Sequence, residues 1–162
     1  MNEQAIEILT RVAGETLEQL AFIFSFPEEE RDTLEDDSLV ATSVSFAGPF
    51  SGTLVMTISA QILQELTANM LGMDDEEEIA LDQQHDALKE TINVICGNLL
   101  PAIAGKKAVF DLDAPKIIDE AEAIKKAAKT NDGRAPTAIV RLDIDDEPCD
   151  LFLFGDIKIQ EE

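Results

Sequence analysis

A chain of 162 residues, 45% of them apolar, has enough hydrophobic material for one core and too little for two, so residues 1–162 are expected to form a single domain. Its 34 acidic side chains outnumber 12 basic ones, for a formal charge of −22, and the basic residues are scattered. Nucleic acid and anionic membrane surfaces, which both select for clustered Lys and Arg, are excluded as partners.

Residues 3–24 carry Ile6, Leu9, Ala13, Leu17 and Leu20 at helical spacing and predict a first amphipathic helix, halted before Pro27. An acidic loop over 28–37 leads to two alternating segments, Val40 to Phe46 and Ser51 to Ser59, around Ala47-Gly48-Pro49, which predict an antiparallel hairpin. Ala60 to Leu71 returns to helical period and stops at Gly72, as a short second helix should. The like charges of 74–78 mark a solvated linker.

A long helix is predicted from Leu81 to Leu100, with Pro101 ending or kinking it. Strand pieces are expected at Lys107 to Leu112 and Lys116 to Ile118, on either side of a turn at Pro115, and an Ala-rich local helix over 119–129. Thr137 to Ile144 and Cys149 to Ile159 alternate strongly around Asp145-Asp-Glu-Pro148 and predict a closing hairpin. The order suggests an α+β domain: a mainly antiparallel sheet packed against two long helices and a short one. It also suggests a weak internal duplication, with a long helix and strands in each half.

The long helix from Leu81 divides into two faces. Leu81, Leu88, Ile92, Ile95 and Leu99 cluster toward the core, while Asp86, Glu90, Asn93 and Gly97 share the opposite side. Asn and Gly are poor helix residues, costing from some tenths to about 1 kcal/mol against Ala, and a merely solvated face would not select them. The stripe is therefore shaped for something outside the chain.

In these residues the sequence resembles the CheC/CheX family of chemotaxis phosphatases, whose acid, acid, amide and proline positions are met by Asp86, Glu90, Asn93 and Pro115. The likeness extends to the Phe-Ser-Gly-Thr-Leu-Val-Met segment at 50–56 and the helix end from Leu66 to Gly72, and the Gly97-Asn98 pair is more similar to CheX than to CheC. The resemblance implies a CheC/CheX-like fold and a cytoplasmic enzyme that hydrolyses the aspartyl phosphate of CheY-like response regulators. It implies no cofactor of the chain's own, Mg²⁺ being carried by the phosphorylated receiver, and a homodimer. Asn93 would hold the attacking water through its amide, and Glu90 would dock against the receiver's active-site Lys. Asp86 would add a weaker contact, to the receiver or to the start of its own helix, Gly97 would let the two backbones approach, and Val94 would pad the rim. The first helix offers Glu15 and Glu18 with Arg11 in place of the first acid and no Asn, so one active stripe per chain is expected.

Other chemistries lack their residues. The acidic run has none of the spacing of a calcium loop, Cys96 and Cys149 have no metal-ligand spacing, and His85 has no nucleophile beside it for a triad. No apolar window reaches the ~18 residues that span a bilayer, and the first residues lack a basic and apolar signal region. The alternative to an enzyme is a noncatalytic module that binds a receiver or a flagellar switch component through the same helix.

Overall fold

In the computed structural model, residues 2–28, 39–74, 78–119 and 136–159 are described. Helix α1 spans Glu3–Ala21 and opens under an Asn2 cap, whose side-chain oxygen accepts from the Ala5 N–H at 3.1 Å. It stops earlier than the apolar pattern suggested. Phe22 adopts a left-handed conformation (φ 55°), and the chain then runs extended into strand β1, Phe26–Pro27, so Phe22, Phe24 and Phe26 face solvent while Ile23 is buried.

Strands β2 (Leu39–Ala47) and β3 (Ser51–Ser59) form the expected hairpin. Helix α2 (Ala60–Leu71) begins at Ser59, whose hydroxyl accepts from the Gln61 N–H at 3.3 Å, and ends at Gly72 with φ 68°, a conformation that glycine adopts without strain. The side chain of Asn69, in the last turn of α2, reaches back to donate to the Ala21 carbonyl at 2.7 Å and so satisfies an orphan acceptor at the end of α1.

Helix α3 runs from Leu81 to Ala104. It runs past the expected end at Leu100 and through Pro101: Leu100 and Ile103 are buried at 2% and 0% exposure and hold the last turn on the core. Leu81, the first residue of the helix, also departs from the sequence expectation, being 61% exposed. Strands β4 (Asp111–Leu112) and β5 (Lys116–Ile118) follow, β4 being shorter than the segment expected from Lys107. Strands β6 (Ala138–Ile144) and β7 (Glu147–Gly155) close the fold. Their turn is tighter than the Asp145–Pro148 span suggested: Asp145 and Asp146 both take positive φ, 50° and 67°, the pattern of a two-residue hairpin turn, and Pro148 is already in the ladder opposite Asp143. The helix expected over 119–129 and most of the acidic linker at 74–78 lie outside the described residues.

The seven strands make one antiparallel sheet in the order β1-β6-β7-β3-β2-β4, with β5 also on β2. Its topology repeats. The hairpins β2–β3 and β6–β7 meet back to back through β3 and β7, while β1, which follows α1, pairs with the later hairpin and β5, which follows α3, pairs with the earlier one. Among the described residues α2 has no counterpart in the second half. Side chains alternate across the sheet: Val44, Leu54, Met56, Ile58, Val140, Leu142 and Leu151 face the helices in the main core, and Ala41, Val55 and Phe152 form a smaller cluster on the other side. On the outer strand β1, the Glu28 N–H bonds to the Arg141 carbonyl, which places Pro27 at the alternate, outward-facing register, where its missing N–H forfeits no ladder bond and blunts the edge.

Candidate functional site

Helix α3 is seated from its ends. The Gln83 side chain accepts from the Ala80 N–H at 3.3 Å, half of a capping box whose other half Ala80 cannot supply, and Asp82 places negative charge in the first turn. Leu88, Ile92, Ile95 and Leu99 are each 0% exposed, so they fix which side of the helix faces out. Thr91, also buried, directs its hydroxyl to the Ala87 carbonyl at 2.8 Å. Everything on the opposite side is thereby committed to solvent or to a partner.

That side carries the residues the sequence singled out. Asp86, Glu90 and Gly97 are exposed, and Asn93 and Val94 are half-buried. Asp86 lies past the first turn, so the alternative of serving its own helix start falls to Asp82 instead. Asp86 is engaged with Lys89, Nζ to Oδ1 at 3.4 Å, one turn before Asn93. The pair is surface-exposed and is worth at most about 1 kcal/mol to stability, so it orients the face more than it holds the fold. Lys89 was not singled out from the sequence, although its i, i+3 spacing from Asp86 is the signal that would have found it. Among the described residues Glu90 has no ion pair, and its carboxylate stands free one turn before Asn93 on the same side of the helix.

Gly97 has no role in the chain's own packing, since a Cβ built there would meet no atom within 4 Å. Pro115 is half-buried just before β5 and Val94 flanks Asn93, while His85 is half-buried at the edge of the helix's core side. Cys96 is fully buried, and burial pushes its thiol pKa up to about 12, which keeps it protonated and unreactive. On α1, Glu15 and Glu18 are exposed, and Glu15 lies 3.8 Å from Arg11, a solvated pair with Glu18 three residues on where α3 has Asn93. Helix α3 therefore presents two acids, an amide and bare backbone in a line, a shape suited to entering a cleft on another molecule.

The sequence profile of the family described as chemotaxis phosphatase CheX matches residues 40–136. A comparison with curated proteins finds no match. Among solved structures, a chemotaxis protein CheX from Desulfovibrio desulfuricans superposes with a TM-score of 0.69 at 16% identity, over 94% of this chain and 99% of that one. A CheX–CheY complex with BeF3 and Mg²⁺ from Borrelia burgdorferi gives 0.67 at 20% identity, over 93% and 96%. A CheC-like superfamily protein from a Shewanella species gives 0.64 at 18%, over 96% and 100%. At these identities the superpositions establish the CheX/CheC-like fold. The profile match spans more than half of the sequence and takes in Asp86, Glu90, Asn93, Gly97 and Pro115, and on that ground the chain belongs to the chemotaxis phosphatase CheX family.

Proposed function

We propose that this chain hydrolyses the aspartyl phosphate of a CheY-like receiver, with Asn93 positioning the water and Glu90 docking the partner. The observation that carries the reading is the placement of Glu90 and Asn93 on the outward face of a helix whose other face is fully committed to the core. An aspartyl phosphate is already an activated acyl phosphate, and the receiver brings its own Mg²⁺. What remains to be supplied is alignment of the nucleophile. Fixing a reactant's approach lowers a barrier by up to about 7–11 kcal/mol in the best intramolecular cases, against roughly 1.5–3 kcal/mol for one charged hydrogen bond. An amide with no acid–base power can align a water, because its oxygen accepts a water hydrogen and its N–H groups donate. The Borrelia CheX–CheY complex, which contains BeF3 and Mg²⁺, supports a receiver as the partner.

The site works in the cytoplasm, where receivers are, and Asp86, Val94 and Gly97 complete the contact around the pair. A second copy of the chain associates through the outer end of α1, where Phe22, Phe24 and Phe26 are 75%, 62% and 65% exposed in a row. Side-chain contact is the mode this surface supports, because Pro27 offers no N–H for strand addition at that edge.

The test is the decay of a phosphorylated CheY-like receiver in the presence of wild type, Asn93→Ala and Glu90→Ala. Acceleration lost with Asn93→Ala at unchanged affinity, and affinity lost with Glu90→Ala in a salt-dependent manner, are the expected results. Binding of the receiver without any acceleration of decay would replace the enzyme with the noncatalytic receiver-binding module.

A further inference from the structure

Glycine and proline are the residues a helix interior tolerates least, and α3 carries one of each four positions apart, Gly97 and Pro101, both exposed. Neither is explained by the chain's own packing. A Cβ at Gly97 would meet open space, its φ lies outside the left-handed region, and the helix continues past Pro101 to Ala104.

Their spacing has a chemical consequence. In an α-helix the carbonyl of residue i accepts from the N–H of residue i+4, so the donor due to the Gly97 carbonyl is the nitrogen of Pro101, which bears no hydrogen. This is not the ordinary fraying of a helix end, because the helix closes later, with the Gly105 N–H bonding to the Pro101 carbonyl at 2.9 Å. The result is a backbone oxygen without its helical donor, at an exposed residue whose accessible surface is all backbone, one turn beyond Asn93 on the face that also presents Glu90.

We propose that the Gly97 carbonyl is a hydrogen-bond acceptor for the receiver, taking a bond from an N–H or O–H group of the docked partner. The inference rests on the receiver reading of this face. Water satisfies the oxygen while the chain is free. Docking expels that water, and a partner without a donor at this spot would bury an unsatisfied carbonyl and be penalised. The oxygen thus works as a register check on how α3 seats, and so on where Asn93 comes to rest.

The experiment is an NMR titration of ¹³C,¹⁵N-labelled chain with a CheY-like receiver held with beryllofluoride and Mg²⁺, reading the Gly97 carbonyl carbon together with the Glu90 and Asn93 amides, and repeated with Pro101→Ala. In wild type, all three are expected to move together, the carbonyl carbon downfield as it gains a donor. Pro101→Ala returns an N–H to the Gly97 oxygen, so its carbonyl should respond less to receiver and its affinity should fall about two- to twelve-fold, the range for one neutral hydrogen bond. Movement of Glu90 and Asn93 without Gly97 in wild type overturns the inference while leaving the receiver reading intact, and needs no variant to fold. Undiminished affinity in a folded Pro101→Ala chain overturns it too. If no resonance on the face moves, the receiver reading falls and takes the inference with it.

Discussion

Replacing Gly97 by Ala should push stability and activity in opposite directions. Inside a helix at ordinary φ, Gly→Ala is worth about 0.5–1 kcal/mol, chiefly by restricting the unfolded chain. Nothing at this site opposes the gain, because the new methyl meets no atom within 4 Å. For a chain of 162 residues this corresponds to a rise in Tm of about 1–4 °C. The same methyl stands on the face proposed to approach the receiver. Forcing one extra carbon into a fitted contact costs about 1–3 kcal/mol, or roughly 5- to 150-fold in kcat/KM. Thermal melting followed by circular dichroism gives the first quantity, and phosphate release from an acetyl-phosphate-primed receiver gives the second. Gly97→Gln extends the series, with a larger loss expected. A higher Tm accompanied by undiminished turnover in both variants would refute the reasoning, since it would mean that no partner surface comes near Gly97.

Two other outcomes follow from buried and strained groups. Below pH 9 the Cys96 thiol is protonated in both the folded and unfolded chain and contributes no pH dependence; between 9.0 and about 12 the unfolded chain loses its proton while the folded one keeps it. Stability should therefore fall as pH rises through that window, by at most about 1.4 kcal/mol per unit from this residue, and Cys96→Ala should show a shallower decline in urea titrations than wild type. Equal slopes would show that Cys96 is not the titrating group. Phe22→Gly removes a left-handed non-glycine residue whose side chain is 75% exposed, and should raise monomer stability by about 1 kcal/mol while moving dimer dissociation to higher concentration in sedimentation equilibrium. A lower stability would show that the ring packs within the chain.

Legibility in the sequence followed the range of the forces involved. Helix α2 could be read to its ends because both signals are local, the change from alternation to helical period after Ser59 and the stop at Gly72. The hairpin β2–β3 was equally plain from alternation. Helix α1 was overextended because Phe-Ile-Phe-Ser-Phe is apolar enough to suit either period, and the change to extended backbone at Phe22 is registered only in burial, which takes Ile23 inward and leaves the three rings outside. Pro101 was read as an end or a kink because its local cost is large; burial of Ile103 beyond it, a tertiary effect, carries the helix past it. The pairing of β1 with β6 joins opposite ends of the chain and leaves no local mark. Within the candidate site, the face shared by Asp86, Glu90, Asn93 and Gly97 was legible from helical period alone. The tie between Asp86 and Lys89 was not, since a spacing permits an ion pair without requiring it.

The hydrogen bond from Asn69 to the Ala21 carbonyl bears on how this protein opens. It ties the last turn of α2 to the last turn of α1, two ends that would otherwise fray separately. With that bond in place, solvent reaches the terminal amides of both helices through a single shared event, and their exchange with deuterium should carry one common free energy. Asn69→Ala would divide that event in two, so that α1 loosens at its aromatic end while α2 remains closed.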